Sequence, residues 1–198
     1  ITMEVINLKA PDTDPVFALV YGASGTGKTH LMGTVGELGR VLIIDIDQGI
    51  KTLRNAPDLL KAHYNDNITV VSFDQFKDLD EAYKLVVAND PSQWSKKFGV
   101  PIEQPFDWVV WDTWSEIQWY MLEELRSKDD AMKGNGLNFR QNVQIQHWGM
   151  MTDLNKLAIQ QLRACHVNQI FTMQEKLDKD ELSGQIYGGP AIHGKMVQ

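Results

Sequence analysis

One cysteine, Cys165, stands in 198 residues, which excludes an intrachain disulfide and fits a reducing, cytoplasmic setting. No apolar run approaches the ~20 residues that a membrane span needs, so no membrane partner is expected. Nor is there a basic excess: 26 acidic against 19 basic residues leave a net charge of -7. That excludes a surface coated in cations and leaves any nucleic-acid contact to a few placed residues. Arginines are few and scattered (Arg40, Arg54, Arg126, Arg140 and Arg163), whereas a small-molecule kinase wants an arginine-rich lid over its phosphates. Internal repeats, heptads and low-complexity tracts are missing. So is a basic-then-apolar leader, although the chain opens on Ile1 rather than Met, which leaves room for residues upstream.

What is there is ordinary in bulk and specific in detail. Hydrophobic residues make up 43% and charged residues 23%, and the length suits one domain over residues 1–198. Five short apolar runs read as buried strands: "VFALVY" (16–21), "RVLIIDI" (40–46), "ITVVSF" (68–73), "DWVVWD" (107–112) and "NQIFTM" (168–173). Helical spacing lies between them, from Lys28 to a cap near Gly39, around 76–88, over 114–125 and over 148–166. On the last of these, Cys165 falls on the apolar stripe with Met151, Leu154, Ala158 and Leu162, where a buried structural thiol is expected. Alternating strand and helix predicts an α/β fold, a mostly parallel sheet with helices on both faces. "NDPSQWSKKFGVPIEQP" (89–105) reads as a surface excursion. The stretches 126–142 and 175–190 read as long polar loops, a kind that is usually functional or disordered.

The first strand runs into Gly22-Ala23-Ser24-Gly25-Thr26-Gly27-Lys28-Thr29, which fits G-x-x-x-x-G-K-[ST] at every fixed position. Average residue frequencies produce this pattern by chance in roughly one chain in a hundred of this size. A loop that wraps a phosphate must aim successive backbone N–H groups at it, and glycine permits the dihedrals and the close approach. The helix that follows offers its N-terminal amides and dipole to the same anion. Gly22 to His30 are therefore expected to hold a nucleoside triphosphate, with Lys28 on the β- and γ-phosphates and the Thr29 hydroxyl on Mg²⁺.

Remaining groups are sought at the C-terminal ends of neighbouring strands. Asp112, after four apolar residues, suits a carboxylate that holds Mg²⁺ through water; the other reading is a helix N-cap, and if Asp112 serves the metal then Thr113 or Ser115 caps instead. Asp47 and, less directly, Asp45 are candidates to polarise an attacking water, against a plain Asp-Gln-Gly turn. Gln174, at the end of the fifth strand, either senses the γ-phosphate or is merely solvated. Trp108, Trp111, Trp114 and Trp119 crowd the fourth strand, two of them expected in the core and the others at an interface or on adenine.

This order of motifs resembles the RecA-like P-loop ATPase core, a three-layer α/β fold. Within it, the chain is most similar to compact phage nucleotide-binding proteins thought to act as single-strand annealing recombinases. The resemblance spans about residue 15 to 198 and closes on "GGPAIHGK". It implies an ATPase using ATP and Mg²⁺, with Asp47 where the family has a water-activating glutamate, Asp112 associated with Mg²⁺, and Gln174 coupling nucleotide state to a DNA-binding loop. Aspartate is one methylene shorter, which implies slower hydrolysis or a role met by binding alone. Such cores carry further strands after the second loop, so either the chain is truncated at Gln198 or its sheet is small.

The resemblance further implies single-stranded DNA as partner, a homo-oligomer in filament or ring form, and a role beside a single-strand binding protein. Lys128, Lys133, Phe139 and Arg140 in the first loop, and Lys176 and Tyr187 in the second, supply the cations and aromatics that such binding needs, with Lys195 beyond them. Asp129, Asp130, Asp178, Asp180 and Glu181 partly cancel those cations, so two solvated loops remain the plainer reading. His193 and Lys195 face either a neighbouring subunit or DNA. The competing function is a P-loop ATPase that acts on protein partners without DNA.

Overall fold

Short runs of β-branched and aromatic residues, apolar on both faces, can bury themselves only inside a sheet covered on both sides. In the computed structural model, which describes residues 14–56, 67–72, 76–128, 143, 145–180 and 183–192, they do so. The strands are β1 (Phe17–Gly22), β2 (Val41–Asp45), β3 (Ile68–Ser72), β4 (Trp108–Asp112), β5 (Asn168–Lys179) and β6 (Ile186–Pro190). The sheet order is β1-β5-β4-β2-β3, all parallel, with β6 antiparallel to the outer half of β5.

Helices are α1 (Lys28–Thr34), α2 (Lys51–Arg54), α3 (Phe76–Ala88), α4 (Pro91–Phe98), α5 (Trp114–Lys128) and α6 (Ile145–Arg163), with a 3₁₀ turn over Val35–Leu38. One core lies beneath α3 to α6, where Leu42, Ile44, Val109, Trp111 and Phe171 meet Leu79, Trp94, Ile117 and Met151. The other lies beneath α1 and α2, where Val41, Ile43, Val110 and Ile170 meet Met32, Val35 and Leu53. Alternate residues of each central strand feed the two cores, which gives the three-layer α/β architecture of P-loop NTPases. Among the described residues, no helix is long and apolar enough to cross a membrane.

Three expectations change. The segment 89–105 is no excursion: α4 forms within it, because the Asp90 carboxylate accepts the Ser92 N–H at 2.8 Å, Pro91 stands in the first turn and Gly99 closes the helix at φ 68. Its anchor is Trp94, fully buried against Phe98 and Phe106. A tryptophan so placed contributes roughly 3–5 kcal/mol relative to alanine. The stretch after Gln174 is not a loop: among its described residues β5 continues to Lys179 and β6 returns beside it as a hairpin. Polar, exposed residues there left no apolar pattern to read, and the antiparallel ladder satisfies their backbone groups instead. Lastly, β1 was expected to be buried, but Phe17, Leu19 and Tyr21 are 38%, 48% and 47% exposed, since β1 is an edge strand.

Cys165 is buried just beyond α6, and burial pushes its thiol above the usual range. Trp111 and Trp114 pack with Phe171 in the core; Trp108 and Trp119 are half-buried.

Candidate active site

The parallel strands end together, and a cleft of about 240 Å³ opens where β1, β2, β4 and β5 stop. It is lined by Ser24, Gly25, Gly27, Lys28, Thr29 and His30 on the cradle side. Asp47, Gly49, Thr52, Asp112, Thr113 and Gln174 line the other. The sequence reading therefore named most of the lining but missed Gly49, Thr52 and Thr113. None of the three carries a charge, and Gly49 and Thr113 were read only as a turn glycine and a helix cap.

The cradle's conformation follows from its glycines. Gly25 and Gly27 have φ of 77° and 90°, the left-handed region that side chains avoid, and Gly27 is the residue before α1. No side chain caps α1 and no acidic residue stands in its first turn. Gly22 and Ala23 serve the loop itself, their carbonyls accepting from Lys28 Nζ at 2.9 and 3.0 Å. Thr26 Oγ1 also donates to the Ala23 carbonyl, at 2.8 Å.

Asp112 is 2% exposed, and both its carboxylate oxygens accept from threonines. Thr29 Oγ1 donates to Oδ2 at 2.9 Å, and Thr172 Oγ1 donates to Oδ1. The expectation that Thr113 or Ser115 caps α5 is replaced by contacts to β5: Thr113 Oγ1 donates to the Thr172 carbonyl at 2.9 Å, and Ser115 Oγ accepts the Gln174 N–H at 3.0 Å. The Asp112–Thr113 peptide is cis. Gln174 itself is exposed at the rim.

Two aspartates that stand two positions apart in sequence are sent to different places by the fold. Asp45 is 1% exposed and turns into the backbone, accepting the Gly49 N–H at 2.8 Å and the Ile50 N–H at 3.3 Å. It builds the corner that starts α2, which removes it as a candidate base. Asp47 lines the cleft, held by the Gly49 N–H at 2.9 Å. A side chain on Gly49 would meet Asp47 Oδ1 at 2.8 Å, so only glycine lets the carboxylate lie there.

Both carboxyls are pushed above the ordinary 3.8. Desolvation is the first cause in each; for Asp47 the Asp112 charge comes next, and for Asp45 donation from Ile50 and Gly49 partly opposes the rise. The sign for stability follows: a carboxyl raised in the folded chain costs stability as pH climbs through its folded-state value, because the unfolded chain has already released that proton. The melting temperature of Asp45→Asn minus that of the parent is therefore expected to increase from pH 4 upward. Thermal melts of both proteins across pH check this, and a difference independent of pH would contradict it.

Among the described residues, no group of three or more His, Cys, Asp or Glu stands ready for a metal. The donors present, one hydroxyl and one carboxylate at the cradle, suit Mg²⁺, which keeps several waters and takes phosphate oxygens rather than an all-protein cage.

Of the residues expected to touch DNA, Lys176 and Tyr187 lie on the hairpin. Lys176 opposes Gly189 and Tyr187 opposes Asp178, so the two side chains share one face. Nothing would meet a side chain at Gly189, so that face is open. Lys176 Nζ also pairs with Asp178 at 2.8 Å. Lys133, Phe139, Arg140, His193 and Lys195 lie outside the described residues, as does the side chain of Lys128.

No curated protein matches the chain. A family model described as an AAA domain matches residues 14–196, nearly the whole length, and takes in the cradle, Asp47, Asp112 and Gln174. Sheet, cleft and match agree: the chain belongs to the AAA_24 family of AAA domains, nucleotide-binding ATPases of the P-loop type.

Proposed function

We propose that this ATPase is a RecA-like, phage-type recombinase that hydrolyses ATP, binds single-stranded DNA and promotes annealing or strand exchange, working as a filament or ring in the cytoplasm. Carrying this reading is one observation: Gln174, on the rim of the cleft, runs directly into the β5–β6 hairpin. Any shift of Gln174 on meeting a γ-phosphate pulls on the strand that bears Lys176 and opposes Tyr187. The single-domain organisation over residues 1–198 is part of the same proposal.

In this mechanism the cradle, Gly22 to His30, receives the triphosphate. Lys28 leaves the Gly22 and Ala23 carbonyls for the phosphates, exchanging neutral acceptors for charged ones. Thr29 and Asp112 would hold Mg²⁺, which would supply positive charge to the triphosphate. Asp47 takes a proton from the attacking water, and its raised proton affinity suits a base working nearer neutrality. Gln174 then reports whether the γ-phosphate is present.

Turnover of ATP is expected to rise on adding single-stranded DNA, and DNA binding to weaken steeply with salt. Tyr187→Ala should weaken DNA binding by about 5- to 150-fold, the worth of one stacked base. Gln174→Ala should keep nucleotide binding but lose the stimulation. If DNA changes neither turnover nor nucleotide affinity, and no salt-dependent binding is seen, the DNA reading is overturned. A second reading, action on a protein partner, is favoured by the Lys176–Asp178 pair, which cancels a cation, and by Leu177 and Ile186, 64% and 67% exposed on the opposite face of the hairpin.

A further inference from the structure

The β4–β5 ladder runs from Trp108↔Asn168 to Trp111↔Phe171 and stops one residue before Asp112. From there, side-chain hydroxyls tie the two segments together. Thr172 reaches the Asp112 carboxylate, Thr113 reaches the Thr172 carbonyl, and Ser115 receives the Gln174 N–H. Thr172, Thr113 and Ser115 are 0%, 1% and 2% exposed, and the first two of these bonds are buried away from water.

We propose that Thr172 is a positioning residue for the divalent cation. Its hydroxyl clamps Oδ1 of Asp112, which leaves Oδ2 aimed at Thr29 Oγ1, 2.9 Å away. This rests on the proposed reading of Thr29 and Asp112 as the magnesium pair. A strand-end carboxylate swings about two side-chain torsions; once one oxygen is fixed by a buried group on the next strand, the other keeps a single direction. Thr172 has one hydroxyl proton, and the competing acceptor, the Trp111 carbonyl, lies at a longer 3.4 Å. Thr172 is not among the residues lining the cleft, so it acts through Asp112 and not on the nucleotide. Outer partners of this kind typically change metal affinity by 10- to 100-fold.

The test compares Thr172→Val, which keeps the shape and loses the hydroxyl, with Thr172→Ser, which keeps the hydroxyl. Mn²⁺ binding to the protein–ATP complex is read by electron paramagnetic resonance. Affinity for a fluorescent ATP analogue is measured with Mg²⁺ and with chelator. Thr172→Val is expected to raise the Mn²⁺ half-saturation about tenfold, to leave affinity in chelator unchanged, and Thr172→Ser to match the parent. A valine variant that binds Mn²⁺ like the parent, or a serine variant as weak as valine, overturns the proposal. Should circular dichroism show Thr172→Val unfolded, Thr172→Ala is read by the same criteria. If the parent itself binds nucleotide without regard to divalent cation, the magnesium reading of Thr29 and Asp112 falls and takes this role with it. A cation-dependent parent beside an unaffected valine variant removes the role of Thr172 alone.

Discussion

Lys28→Ala is expected to weaken ATP binding by about 100-fold or more and to abolish turnover, while circular dichroism and melting stay close to the parent's. The size comes from losing two charge-assisted contacts to phosphate, each worth about 1.5–3 kcal/mol. The fold should survive because, among the described residues, Lys28 Nζ bonds to the Gly22 and Ala23 carbonyls of its own loop. Those carbonyls lie at the open end of the sheet, where water can replace the ammonium. Alanine also suits the first turn of α1. Calorimetric titration with ATP checks the prediction. Undiminished affinity in a folded variant would overturn the assignment of the cradle, and with it every role given to Thr29, Asp47 and Asp112.

Asp47→Asn is expected to behave differently: nucleotide still binds, but turnover falls by about 10²–10⁴-fold, the usual contribution of a positioned base. Asparagine has nearly the same shape and can still accept the Gly49 N–H, so the corner over Asp45–Gly49 should hold. The parent's pH profile supplies a second readout. Burial in the cleft and the charge of Asp112 push the Asp47 carboxyl above its ordinary 3.8. A base works only when deprotonated, so turnover should fall as pH drops through that raised value, at a higher pH than an ordinary aspartate would give. Asp47→Asn should lack this acidic limb. Turnover in Asp47→Asn close to the parent's would show that the water is activated by another group.

Legibility differed from residue to residue. The cradle was readable because its geometry is local: eight consecutive residues set their own dihedrals, and a strand before and a helix after complete the signal. Asp112 was readable because four apolar residues before a carboxylate mark a strand end. Asp47 was preferred to Asp45, two positions away, but nothing in the sequence showed what becomes of Asp45. Their division depends on the turn at Gln48, at φ 59, and Gly49, which sends one carboxylate into the backbone and the other into the cleft. The helix α4 was hidden by its polar residues and by the three prolines of the segment 89–105. Trp94 was the one clue, and its burial is set by Phe98 and Phe106.

By itself the sequence determined the five parallel strands, most of the helices, the glycine-rich turn between β1 and α1 and the carboxylate that ends β4, since each depends on neighbours a few positions away. Tertiary structure alone decided that β5 lies between β1 and β4, and that Thr172 meets Asp112 across 60 positions. It also decided that the polar stretch after Gln174 is a hairpin continuous with the cleft. The reason is physical. Short-range dihedral and hydrophobic preferences are written in consecutive residues, whereas strand order and hydroxyl–carboxylate pairing come from packing segments far apart in the chain, which no local pattern encodes.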